Sequence, residues 1–234
     1  MKTVGLIGGM SWESTVTYYQ VINRRVREKM GGLHSARCIV YSLDFAEIAH
    51  LQKSGNWDEA ASMLCEAAAC LRRAGADAIV ICTNTMHKVA ETVEQESAIP
   101  LLHIADATAE RIQRSAYQRV GLLGTRYTME EKFYRDRLRE KFDLKVLIPD
   151  VADRNTINSI IYDELCNGIL DEASLRTFVR IVQQLENDGA QCVILGCTEI
   201  GLLLKSSTVS LPLFDTATIH AEAAADWAMA VGED

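Results

Sequence analysis

Proline is scarce in this sequence, at 3 in 234 residues against 14 glycines. With 48% hydrophobic and 24% charged residues, that balance excludes collagen-like, disordered and coiled-coil chains and leaves an ordinary globular composition. Positive charge is also in deficit. Lysine and arginine number 24 against 32 acidic residues, a formal net charge of −8, which argues against nucleic acid or an anionic membrane surface as a partner. An anionic small molecule remains admissible, because a cleft can carry local charge opposite to the whole. No apolar run approaches the roughly 18–20 residues that span a bilayer. The opening Thr3–Gly9 run is too short and too glycine-rich for a secretory leader. A soluble, cytoplasmic protein is expected, with no membrane or nucleic-acid partner.

Metal-binding spacing is missing too. The seven cysteines (38, 65, 70, 82, 166, 192 and 197) contain no C-x-x-C pair, and the five histidines are scattered. No structural zinc site has a spacing to support it. An odd cysteine count with no leader reads as free thiols, of which at most one or two do chemistry.

What the chain does have is alternation. Thr3–Ile7, Cys38–Leu43, Ala78–Cys82, Pro100–Ile104, Val120–Leu123, Lys145–Ile148, Cys192–Leu195 and Leu211–Phe214 are short, nearly continuous apolar runs. Such runs suit strands of a parallel sheet covered on both faces. Between them, Glu13–Lys29, Trp57–Ala74, Met129–Phe142, Asn155–Asn167 and Glu172–Asn187 are amphipathic and of helix length, and Gly75 and Gly189 stand where helix-ending glycines belong. The pattern predicts an α/β fold of mostly parallel sheets flanked by helices.

The chain also repeats itself. Gly75–Thr85 matches Gly189–Glu199 at an offset of 114, Val4–Gly8 matches Val120–Gly124 at 116, and Pro100–Leu102 matches Pro212–Phe214 at 112. Three blocks in one order predict two pseudo-symmetric α/β lobes facing across a cleft. The expected division is residues 1–104 plus 213–234 for one lobe and 105–212 for the other.

Ligands of open α/β sheets sit beyond the carboxyl ends of the strands. The best-matched strands end at Thr83 and Cys197, so these two side chains are expected to address one ligand from opposite sides. Racemisation at a stereogenic carbon needs that arrangement: one group removes the α-proton and another returns one to the far face. Thr83-Asn84-Thr85 and Cys197-Thr198-Glu199 each follow a strand and precede helical sequence, where backbone N–H groups can receive a carboxylate. A helix N-terminus at Cys197 would lower its thiol pKa and make it a thiolate base.

Gly8–Thr15, Gly31–Ser35, Cys82–His87 and Gly196–Ile200 together resemble the aspartate/glutamate racemase family over essentially the whole chain. The resemblance implies a cofactor-independent amino-acid racemase, metal-free, often dimeric, with two bases in an interlobe cleft. It implies catalytic roles for Thr83 and Cys197. Asn84, Thr85, Thr198 and Glu199 would bind the substrate's carboxylate and ammonium, with Met10 and Thr125 lining the cleft. Gln52 stands in a stretch where aspartate-selective relatives supply an arginine to the side-chain carboxylate. One departure matters: many members read Cys-Asn-Thr where this chain has Thr83-Asn84-Thr85, its Cys82 lying one residue early. Thr83 would then relay a proton in a direction-biased racemase. Alternatively, Cys197 works alone in a lyase, isomerase or tautomerase, Cys82 substitutes through a backbone shift, or the protein only binds an amino acid.

Overall fold

The structure, a computed structural model, describes residues 1–230. In chain order the elements are β1 (Val4–Gly8), α1 (Trp12–Met30), β2 (Cys38–Ser42), α2 (Phe45–Ser54), α3 (Trp57–Arg73), β3 (Ala78–Ile81), α4 (Ala90–Ser97) and α5 (Ile104–Gln113). They continue with β4 (Arg119–Gly124), α6 (Arg126–Glu130), α7 (Lys132–Phe142), β5 (Lys145–Leu147), α8 (Val151–Ser159), α9 (Glu172–Asn187), β6 (Cys192–Gly196), α10 (Ile200–Leu203), β7 (Leu213–Asp215) and α11 (Thr216–Met229).

Two compact units result: Met1–Ile104 with the chain from His220 onward, and Ala105–Ile219. The first holds a parallel sheet ordered β2-β1-β3, the second a parallel sheet ordered β5-β4-β6-β7. Residues 213–219, expected with the first lobe, belong to the second unit because β7 pairs with β6 through Val193↔Leu213.

The internal repeat reappears in the hydrogen bonding. Val4 pairs with Ala78 and Val120 with Cys192, the same register at the two offsets. The Asp77 N–H donates to Thr3 O at 2.8 Å, and the Gln191 N–H donates to Arg119 O at 2.8 Å. Packing repeats as well. A Cβ on Gly5 would stand 3.2 Å from Leu71 Cβ, and one on Gly121 would stand 3.0 Å from Leu185 Cδ1. Glycine at both places lets the crossover helix, α3 or α9, lie close on the central strand.

Each helix has local causes. Ser11 caps α1 by accepting the Ser14 N–H, with Glu13 in the first turn and Arg27 and Lys29 in the last, charges that suit the helix dipole. Asp171 caps α9 through the N–H groups of Ala173 and Ser174, and Phe178, Ile181, Val182 and Leu185 form its buried stripe. In α3 the buried face is Ala60, Ala61, Leu64, Ala67, Ala68 and Leu71, part of a cluster that also takes in Met10, Ile48, Ile81 and Met86.

Three expected elements differ. Pro100–Ile104 forms only a single bridge, Ile79↔Leu101, because α5 starts at Ile104. Met129–Phe142 breaks at Glu131, whose extended backbone (φ −82°, ψ 160°) separates α6 from α7. Asn155–Asn167 is α8 running into a π-helical turn, Ile160–Glu164, and a 3-10 turn, Leu165–Asn167.

Candidate active site

The strand ends place the candidate groups. In the first unit β3 stops at Ile81. Cys82, fully buried, donates its N–H to Ile7 O at 2.9 Å and its thiol to Val80 O at 3.9 Å. Burial pushes the Cys82 thiol far above its ordinary range, as for a group packed into the core. Thr83 follows, half-buried, and then Asn84 and Thr85, both buried at the start of a 3-10 turn, Thr85–Val89. Gln52, in the last turn of α2, is buried and donates through Nε2 to Met86 Sδ at 3.1 Å, against that same turn. Lys53 beside it is exposed.

The loop after β1 is tight. A Cβ at Gly8 would collide with the Thr15 side chain, and one at Gly9 (φ +85°) with the backbone of Leu43. The Gly9 N–H is taken by Thr15 Oγ1 at 2.8 Å, which leaves it unavailable to a ligand. Met10 is buried in the hydrophobic cluster. Thr125 follows β4 in the second unit and caps α6, its Oγ1 accepting the Thr128 N–H and lying 3.2 Å from Thr128 Oγ1.

In the second unit β6 ends at Gly196, and Cys197, Thr198 and Glu199 form the turn before α10. Cys197 is 7% and Glu199 4% exposed. The Cys197 thiol donates to Glu199 Oε2 at 3.0 Å, and the Thr198 hydroxyl donates to the same oxygen at 2.7 Å. The expected low-pKa thiolate is corrected here. Burial first, then the negative charge of Glu199, holds the Cys197 thiol well above its ordinary range. Helix α10 has only four residues, too few for a dipole that would offset either cause. Cys197 at rest is a neutral thiol pointed at a carboxylate.

Sequence reasoning missed Tyr162 and Cys166. Tyr162 lies in the π-helical turn, and the 3-10 turn that follows, with Cys166, packs against α10. Burial above all pushes the Tyr162 hydroxyl up, so it stays protonated near the thiol–carboxylate pair. A π-turn has no period of its own in sequence, and this segment reads as plain helix. Asp215 caps α11, its Oδ1 accepting the Ala217 N–H at 3.0 Å. Among the described residues no group of histidine, cysteine, aspartate or glutamate could hold a metal ion, and no helix is long and apolar enough to cross a membrane.

A thiol on a carboxylate thus stands at one strand end, and a hydroxyl-bearing residue at the matching strand end of a repeated βα unit. Comparison with known proteins names the kind of protein. The Asp/Glu/hydantoin racemase family model matches residues 7–224, and the chain belongs to that family. A crystal structure of a candidate Asp/Glu racemase from Yersinia pestis is 55% identical, covering 98% of this chain and 100% of that one, with a TM-score of 0.92. An aspartate racemase homologue from Pyrococcus horikoshii is 38% identical over 97% of this chain and 99% of its own, with a TM-score of 0.84. A broad-specificity amino-acid racemase of Bacillus subtilis is 22% identical over 94% of this chain and 95% of its own. The chain is accordingly an amino-acid racemase with the two-unit α/β fold of that family.

Proposed function

We propose that the protein interconverts the enantiomers of an acidic amino acid, aspartate or glutamate, with Cys197 and Thr83 transferring protons on opposite faces of the α-carbon. The observation that carries this reading is the register repeat. It brings Thr83 and Cys197 to equivalent strand ends, and the Cys197 thiol already donates a hydrogen bond to the Glu199 carboxyl group. Glu199 accepts the Cys197 proton and leaves a thiolate to take the α-proton; reversal of the relay makes Cys197 the acid. Thr83 donates its hydroxyl proton on the other face and takes one back from solvent, and in the reverse direction passes the α-proton to solvent. The carbanion must be held by N–H and hydroxyl groups at the two turns, for which Asn84, Thr85 and Thr198 are assigned. Glu199 adds attraction for the substrate ammonium and repels a carboxylate placed beside it. Gln52 faces the substrate side chain, and Met10 and Thr125 shape the site at the ends of β1 and β4.

The same proposal places the enzyme in the cytoplasm as a homodimer. All seven cysteines are free thiols, as a reducing compartment keeps them. Trp12, Val16 and Tyr19 lie on one exposed face of α1, an apolar strip suited to a second copy.

Incubation with L-aspartate in deuterium oxide, followed by NMR, tests the reading. Loss of the α-proton signal with growth of D-aspartate is expected, and Cys197→Ser should slow it at least about a hundredfold. Tight binding with no exchange would make the protein a binding module.

A further inference from the structure

Three histidines and a tyrosine adjoin the Thr83 loop, and their hydrogen bonds assign their protons. His87, 3% exposed, receives the Ile104 backbone N–H on Nε2 at 3.2 Å. A ring nitrogen that accepts an N–H carries a lone pair, so the proton of the neutral ring is on Nδ1, where it donates to the Thr83 carbonyl at 2.8 Å. His220, fully buried, is the opposite tautomer: Nε2 donates to the Leu102 carbonyl at 2.7 Å, and Nδ1 accepts the Tyr18 hydroxyl at 2.8 Å. The His87 ring meets His103 edge-on at 4.5 Å and His220 at 5.7 Å between centroids. Its orientation is therefore set by both nitrogens and by its ring neighbours.

The second unit has no such device. At the repeat offset of 114, the counterpart of His87 is Gly201, and the Cys197 carbonyl accepts the Ile200 N–H at 3.2 Å instead. There the side chain of the proton-transfer residue is held directly, by Glu199. At Thr83 it is the peptide that is held.

We infer that His87 is a positioning residue for Thr83: by tying the Thr83 carbonyl to the first amide of α5, it fixes the peptide from which the Thr83 hydroxyl projects. The inference rests on the reading of Thr83 as a proton-transfer group. A hydroxyl has one proton to give, so its alignment decides the rate, and misplacement by about 1 Å costs on the order of a hundredfold. His87 itself touches no reacting atom.

Two replacements separate the two hydrogen bonds. In His87→Asn the amide N–H takes the place of Nδ1–H and keeps the Thr83 contact. In His87→Gln the amide oxygen takes the place of Nε2 and keeps only the Ile104 contact. Each is assayed for net racemisation of aspartate, which needs both proton-transfer groups, and for α-deuterium exchange of the enantiomer served by Cys197, which needs one. His87→Gln should lower racemisation at least about tenfold while Cys197-side exchange stays within about twofold, and His87→Asn should stay near the parent in both. Parental racemisation in His87→Gln, or equal losses in both assays and both variants, would overturn the assignment. Nitrogen NMR of ¹⁵N-histidine-labelled parent protein gives a readout independent of the variants. His87 protonated on Nδ1 and His220 on Nε2 are expected, and His87 protonated on Nε2 overturns the assignment. Thr83→Ala, measured alongside, isolates the underlying reading, because unchanged racemisation there would show that Thr83 moves no proton, whatever the histidine variants do.

Discussion

Replacing Glu199 with glutamine should move thiol reactivity and turnover in opposite directions. In the parent, the Cys197 thiol and the Glu199 carboxylate are 3.0 Å apart and both are buried, so the carboxylate charge adds to burial in disfavouring thiolate. Glutamine keeps an acceptor oxygen and drops the charge. Two unit charges 4 Å apart at an effective dielectric near 20 interact by about 4 kcal/mol, so removing one of them favours the thiolate. Half-buried Thr198 admits some solvent screening, so Glu199→Gln should lower the Cys197 midpoint by only part of that interaction. Thiolate is the alkylated species, so iodoacetamide should modify Cys197 about ten to a hundred times faster in the variant at pH 8. Taking the ratio of variant to parent cancels limited access to the buried sulfur. Racemisation should fall about a hundredfold or more, because the thiol loses its proton acceptor. The assay is peptide mass spectrometry of Cys197 alkylation over time beside a racemisation assay, with buried Cys82 as an internal control. Slower or unchanged alkylation with lost activity would refute the coupling of Cys197 to Glu199.

Gln52→Arg should raise the kcat/KM preference for dicarboxylic over uncharged amino acids by about tenfold, or ~1.4 kcal/mol, through a charge-assisted contact; an unchanged substrate ranking would place Gln52 away from the substrate. Stability should decline in alkaline solution. Burial pushes the Cys192 thiol up to about 12 and Cys82 higher still, whereas the unfolded chain gives up thiol protons near pH 8.5. Folded-state pKa values raised in this way leave stability intact below about pH 8.5 and erode it above, by about 1.4 kcal/mol per pH unit for each thiol, until the folded pKa is passed. Urea midpoints between pH 8 and 11 measure this, and Cys192→Ala should flatten the slope.

Much of the architecture was legible because parallel strands buried on both faces leave continuous apolar runs, and because Gly75 and Gly189 mark where α3 and α9 end. The repeat was legible for a stronger reason. Gly5 and Gly121 are required where α3 and α9 lie on the central strands, so the offsets in sequence are offsets in packing. Pro100–Ile104 misled because its apolar character matches Leu211–Phe214, yet only the second continues as a strand before its helix begins. Thr83 and Cys197 were found as strand-end residues, but the state of the thiol was not. Charge and burial around Cys197 come from Glu199 two residues on and from the turn bearing Tyr162 and Cys166, more than thirty residues earlier. A helix-dipole argument made from local sequence could weigh neither.

On the proposed mechanism the two proton-transfer groups are chemically unequal. Cys197 has a carboxylate to receive its proton, whereas Thr83 carries a hydroxyl that is almost never ionised near neutral pH. The direct measurement is the initial rate of α-deuterium incorporation into each pure enantiomer of aspartate, for the parent and for Thr83→Cys. The enantiomer whose α-proton faces Cys197 should exchange much faster in the parent, and Thr83→Cys should speed exchange of the slow one. Both enantiomers must still reach equal amounts at equilibrium, so the inequality is confined to rate and affinity. Equal initial rates in the parent, unchanged by Thr83→Cys, would contradict the account.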